Sequence, residues 1–271
     1  MKSFNFIRAF NNSNKTMKKS FKLLILIALG AGLVTLNACK EEPLEDPIPT
    51  ISCYLTSFSE EGDAATYTLD DDNKVVSALT NGETTTFTYD VDGRLATADD
   101  GSINAVFVYD GADKMPNRIN ITAQGQTLAY MLIKSANDNI TEIETHFIDP
   151  NVGDIAYSRN SHTYTGNNLA TIILEQFDLN TQQFVEAGRV ENITNDGKTN
   201  PLARSLAYFF MNFENPTVLG ASNMTGGSVT TDGTTSPLVI QYTYNENDYP
   251  LTAAQIVDGD TTNLIFGYSC K

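Results

Sequence analysis

The chain of 271 residues contains no tryptophan, two histidines and three cysteines, and its 17 lysines and arginines face 33 aspartates and glutamates. Each scarcity removes a class of function. His146 and His162 stand in strand-like runs far from a metal-ligand spacing such as H-E-x-x-H, and no thiol is spare beside them, so neither a catalytic zinc nor a Cys–His pair is expected. No serine lies in the G-x-S-x-G setting of a nucleophile elbow. The shortage of basic residues argues against nucleic acid, because Lys and Arg on phosphates supply most of that affinity. Missing tryptophan weakens a glycan-binding reading without removing it, since 12 Tyr and 14 Phe are still there to offer ring faces. Any two of the 33 acids can converge as a glycosidase pair, yet no pair is singled out. The chain therefore reads as non-enzymatic, with no catalytic residue, metal or cofactor assigned.

A long apolar run is missing too. The longest, Leu23 to Leu36, is broken by Gly30, Gly32 and Thr35 and falls short of the roughly 20 residues a spanning helix needs. With Lys18, Lys19 and Lys22 before it and small residues after it, the layout is that of a cleaved secretory signal over 1–38. Met17 is an alternative start, because the signal is complete from there. The residues Leu36, Asn37, Ala38, Cys39 resemble a bacterial lipobox, which implies that Cys39 carries the lipid and becomes the new N-terminus. Lys40, Glu41 and Glu42 resemble the export signal of Bacteroidota lipoproteins bound for the cell exterior; the alternative is simply the start of a charged linker. Together they imply an outer-membrane, surface-exposed protein whose membrane partner is reached through the Cys39 lipid. Segment 39–50 is acidic, holds Pro43, Pro47 and Pro49, and reads as an extended tether. Removing residues 1–38 takes away six basic residues and no acidic one, leaving 11 against 33 and a formal charge of −22.

What is present beyond residue 51 is a repeated pattern of short alternating runs, rich in Thr, Tyr, Val and Phe, separated by Asp, Asn and Gly. The sharpest copy is Tyr89, Asp90, Val91, Asp92, Gly93, Arg94, Leu95. Looser copies lead from Tyr67 to Val75, Tyr109 to Ile119, Ile133 to Ile140, Tyr164 to Leu169 and Tyr244 to Leu251; from Tyr67 to Tyr164 the intervals are 20 to 31 residues, about one hairpin each, and the last copy follows after a longer gap. Asp90, Asp92 and Gly93 also open like a calcium loop, but the twelfth position is Gly101 and not glutamate, so the turn reading is preferred. These turns resemble the YD repeat of RHS-type proteins. The whole layout of lipobox, acidic tether and serial hairpins resembles the Bacteroidota lipoprotein domains of unknown function with a porin-like fold, which implies a β-barrel and no assigned activity.

The expected fold over 51–271 is a single all-β domain. It is an antiparallel up-and-down meander of roughly a dozen strands forming a barrel or strongly curled sheet, because closure removes exposed edges. One short helix is expected near 200–213, with Asn200 and Pro201 at its start and Leu202, Leu206, Phe209, Phe210 and Phe213 on one face, plugging the barrel mouth. Gly220 to Pro237 reads as a long mobile loop. Cys53 and Cys270, at opposite ends of the domain, either form a disulfide or stay two buried thiols. The expected function is a surface-anchored, non-catalytic binding or interaction module, with a glycan or small apolar ligand. The alternatives are a structural subunit of an outer-membrane protein complex and a glycan-processing enzyme.

Overall fold

The computed structural model describes residues 52–212 and 216–271. The signal segment, Cys39, Lys40 to Glu42, the tether and Phe213 lie outside the described residues.

The local rule that builds the fold is the turn. At Asp70, Asp90 and Asn245 the side-chain Oδ1 accepts the backbone N–H two and four residues on, at 2.8 to 3.0 Å. The backbone N–H of the same residue donates to the carbonyl four residues on, at 2.9 Å in all three. Such an Asx-type turn needs a left-handed residue just before its end, and Asn73, Gly93 and Asp248 supply it with φ of 62°, 76° and 62°. The opposite rim uses a tighter turn. Glu61-Gly62, Asn81-Gly82, Gln124-Gly125, Asp232-Gly233 and Asp258-Gly259 all have positive φ at both residues, the requirement of the type I′ hairpin whose twist matches the strands it joins.

Sixteen strands result among the described residues. They are β1 (Cys53–Glu60), β2 (Asp63–Leu69), β3 (Val75–Thr80), β4 (Glu83–Tyr89), β5 (Leu95–Asp99), β6 (Asn104–Val108), β7 (Arg118–Ala123) and β8 (Gln126–Ala136). Then come β9 (Asn139–Asp149), β10 (Gly153–Thr165), β11 (Asn168–Asp178), β12 (Gln183–Thr199), β13 (Ser222–Thr231), β14 (Thr234–Tyr244), β15 (Pro250–Val257) and β16 (Asp260–Cys270). Each pairs antiparallel with its neighbour in sequence, and β1 pairs with β16, so the meander closes into a barrel. The expected dozen is thus corrected to sixteen. The six turns legible in the sequence all lie on one rim, each marking a two-strand unit. The expected loop over Gly220 to Pro237 holds all of β13 and the start of β14, hidden because that stretch is rich in Gly, Ser and Thr.

That stretch is not mobile loop but hairpin. Its glycines serve close approach: a Cβ on Gly226 would stand 2.8 Å from the Leu238 carbonyl oxygen, and one on Gly227 3.0 Å from that of Glu191. Both sit where β12 and β13 pair irregularly, as bulges demand.

Alternation sets the two faces of the wall. In β2, Ala65 and Tyr67 are buried while Thr66 and Thr68 are exposed; in β4, Phe87 is buried between exposed Thr86 and Thr88. Across strands a large inward residue meets a small one, as Phe58 faces Ala65, Tyr67 faces Ala78 and Phe87 faces Ala98. The inward residues form one apolar cluster, each large one contributing about 1.5–3 kcal/mol by burial. Outside, cross-strand threonine hydroxyls pair, Thr88 with Thr97 at 2.6 Å, Thr230 with Thr235 at 2.8 Å and Thr243 with Thr252 at 2.7 Å.

The connection from β12 to β13 carries the helix, shorter than the expected 200–213. A 3-10 turn (Leu202–Arg204) comes first, the helix α1 (Leu206–Met211) follows, and a second 3-10 turn spans Pro216–Leu219. Ser205 breaks the run: its backbone is extended at φ −148° and ψ 135°, and its hydroxyl caps α1 by accepting from Ala207 N. Asn200 instead accepts from Leu202 N, at the start of the 3-10 turn. The helix is apolar almost all round and enters the barrel end. Tyr208, 4% exposed, donates to the Leu55 carbonyl at 2.6 Å and meets the Tyr67 ring edge-on at 4.8 Å; Phe210 meets Phe107 at 5.5 Å.

Candidate functional site

Both described termini lie on the rim that holds the Asx turns and α1, where Ser52 and Lys271 exchange two backbone hydrogen bonds at 3.0 Å. The next residues inward, Cys53 and Cys270, form the adjacent non-hydrogen-bonded pair, the closer of the two antiparallel positions. Their Cα atoms are 4.0 Å apart and a disulfide joins them. Beside this seam is a cleft of about 250 Å³ lined by Tyr54, Leu55, Asn73, Pro201, Ser205 and Tyr208. Its volume falls below the roughly 300–1,000 Å³ of ordinary small-molecule sites.

The same rim holds a polar group built on the irregular end of β12. The Tyr244 hydroxyl donates to the Asp196 carboxylate, Asn223 donates to it at 3.3 Å, and the Lys198 ammonium lies 3.7 Å from the Tyr244 ring centroid while pairing with Asp248 at 2.7 Å. Burial, then the Asp196 carboxylate, pushes the Tyr244 phenol well up. The donors are spent on one another, so the group braces the rim.

A second polar constellation stands on the outer wall, where register alone brings it together. Asn120, Tyr130, His146 and Ala156 face one another in a row across β7 to β10, and Arg118, Leu132, Glu144 and Arg159 form the next row. Tyr130, 7% exposed, donates to Asp154 at 2.5 Å, and its ring stacks on that of His146 at 4.6 Å and 12°. The Arg118 guanidinium lies 3.8 Å from the Tyr130 centroid. His146 Nδ1 meets Asp154 and Nε2 meets Glu144, each at 2.8 Å. Burial and the Asp154 carboxylate push the Tyr130 phenol up to about 12, while that hydrogen bond holds the Asp154 carboxyl below the usual range.

Chemically this cluster offers a positioned cation and no free base. Both imidazole nitrogens, the phenol and the two carboxylates are engaged. Sequence reading reached His146 only as a residue in a strand; its partners lie 2 to 28 positions away and are gathered by strand register. His162 points inward instead, 6% exposed, hydrogen-bonded to the Ile140 carbonyl with Nδ1 buried and unpartnered. No group of three or more metal-ligating side chains occurs among the described residues. The Asp90 carboxylate, the candidate calcium ligand, is consumed by its own turn: the Arg94 backbone N–H first, then the guanidinium of Arg94 at 2.8 Å, hold it below the usual carboxylate range.

No family model matches the chain, and neither does any curated protein. Among solved structures it is similar to a porin-like protein from Bacteroides vulgatus ATCC 8482, with a TM-score of 0.57 and 11% identity over 80% of this chain and 99% of that one. It is also similar to a porin-like protein from Bacteroides uniformis ATCC 8492, with a TM-score of 0.50 and 11% identity over 80% of this chain and 98% of the other. At such identity the likeness is one of fold.

Proposed function

We propose that the protein is a lipid-anchored lipoprotein of the outer membrane, held by Cys39 and exposed at the cell surface, whose barrel is a non-catalytic interaction module. The observation that carries this reading is the polarity of the wall. A barrel immersed in lipid turns a continuous apolar band outward and keeps a polar lumen, whereas here the lumen is filled by one apolar cluster and the outer face carries paired threonines, with aliphatic side chains such as Leu79, Val239 and Ile265 among them. Such a wall suits water, and the membrane contact then falls to the lipid on Cys39, with Lys40, Glu41 and Glu42 directing export. The described chain begins at the α1 rim, so a tether over 39–50 attaches there and leaves the opposite rim facing outward.

That far rim supports the second reading, a subunit of an outer-membrane protein complex. Val152, Leu179 and Val185 are 73%, 69% and 52% exposed on or beside the long hairpins β9–β10 and β11–β12, next to the ring pairs Phe147–Tyr157 and Phe177–Phe184. Apolar side chains left in water at a projecting tip fit a protein partner better than a small ligand.

The test is Cys39→Ala expressed in cells. The expected outcome is a protein that leaves the membrane fraction while keeping its thermal unfolding midpoint. A variant that still sediments with membranes after high-salt and carbonate washing would show that the barrel itself is embedded, and the anchored-module reading would fall.

A further inference from the structure

We propose that the outer wall over β6 to β9 is a docking platform for an acidic, aliphatic peptide segment of a protein partner, with Arg118 as its carboxylate receptor. The inference rests on the reading above, that the outer wall faces water.

Arg118 differs from the other arginines whose side chains are described. Arg94 holds Asp90, Arg159 holds Glu175 and Arg189 holds Glu186, at 2.5 to 2.8 Å. No carboxylate lies within ion-pair distance of Arg118 among the described residues: Asp154 is near enough to feel its charge but directs its hydrogen bonds to Tyr130 and His146, and Glu144 directs one to His146. Its Nε donates to Asn120 Oδ1 at 2.6 Å and its plane lies over the Tyr130 ring, so the guanidinium is fixed in place. The two terminal nitrogens are left with the fork geometry that binds a carboxylate in bidentate fashion. A cation held by stacking and by its Nε, with both terminal nitrogens unspent, has already lost the side-chain freedom that binding would otherwise cost.

The surroundings select the occupant. Val108 faces Arg118 on one side and Leu132 on the other, and Val106 lies one row along, facing Asn120. These three are 38%, 36% and 38% exposed, and what sets them apart from other outward aliphatics such as Leu79, Val239 and Ile265 is the guanidinium among them. The patch therefore combines one oriented positive group with aliphatic neighbours. A sugar ring would seek an open aromatic face, but the Tyr130 ring is stacked against both Arg118 and His146. An aspartate or glutamate flanked by aliphatic side chains matches the chemistry present. Attraction to Arg118 is local, because charges beyond about 8 Å are screened at physiological salt.

The experiment uses the full-length protein in mild detergent against a displayed library of random heptapeptides, with Arg118→Gln and Arg118→Lys as comparators. The expected result is enrichment of peptides with an acidic residue beside Val, Leu or Ile. Their binding should fall at least 10-fold in Arg118→Gln and when the acid is changed to its amide, with partial retention in Arg118→Lys. Loss of affinity with added salt should accompany it. Enrichment without acidic residues, or binding unchanged in Arg118→Gln, overturns the proposal; so does an Arg118-dependent response to polygalacturonate but to no peptide, which would reassign the platform to acidic glycans. A parallel Leu132→Cys variant, labelled on intact cells with an impermeant maleimide, separates the two layers. An unreactive thiol would fault the water-facing wall itself, whereas a reactive thiol with no peptide selected would fault the docking platform alone.

Discussion

His162 is the residue where burial has the clearest chemical consequence. Desolvation pulls its imidazole down to about 4 from the ordinary 6.5, and the Ile140 carbonyl only partly opposes this. On acidification the unfolded chain therefore takes up a proton first. Stability from this group is complete above about pH 6.5, falls as the pH drops toward about 4, and is level below that; the total is about 3 kcal/mol. In urea unfolding measured from pH 7.5 to 4, His162→Gln should flatten that slope relative to the wild type, whatever its effect at neutral pH. An unchanged slope would mean that the ring is solvated in solution. Nothing in the run Ser161 to Tyr164 distinguishes His162 from His146. One faces Ile172 inside the barrel and the other stacks on Tyr130 outside, a difference set by strand parity at bulges.

Among elements, the hairpin unit explains why the repeat is legible. Over β3 to β6 it recurs every 20 residues: Tyr89 donates to the Val75 carbonyl and Tyr109 to that of Leu95, both at 2.8 Å, while Lys74 lies over the Tyr89 ring and Arg94 over that of Tyr109. A tyrosine ending one strand thus ties down the residue that begins the strand before it, so the pattern is written in local sequence. Helix α1 obeys no such repeat. Its six residues are too few to be stable alone and depend on the cavity they fill. Tyr208→Ala should cost about 3–5 kcal/mol in urea unfolding and Tyr208→Phe about 1 kcal/mol, the net worth of one hydrogen bond. An alanine variant within 1 kcal/mol of wild type would show that α1 does not plug the barrel end.

The molecule as a whole has one seam that chain order does not secure, the β1–β16 pairing. Every other pair is joined by a short connection or by the α1 segment, whereas β1 and β16 meet across the entire domain. The Cys53–Cys270 disulfide sits at the open end of that seam, with a sequence separation of 217. Loop-closure entropy credits such a link with up to about 5 kcal/mol. The double variant Cys53→Ala, Cys270→Ala should lose about 2–5 kcal/mol, and hydrogen exchange should show β1 and β16 losing protection before β8 to β11. Uniform loss of protection would mean that the seam is no weaker than the other pairings.

The sequence by itself determined the class and the plan: alternation with period two, a Tyr-Asp turn at regular spacing and the shortage of basic residues are local properties, written residue by residue. It also placed a short helix in the right segment, although Ser205 shortened the element by turning the backbone extended and its buried residues are Ala207, Tyr208 and Phe209, of which the expected stripe held only Phe209. Tertiary structure alone decided closure, the strand count and the outer-wall cluster. Closure depends on β1 meeting β16, and the cluster on which residues register places opposite one another. A shift of one residue in any of those pairings would send Arg118, Tyr130 and His146 to different faces of the wall, and no local pattern encodes that choice.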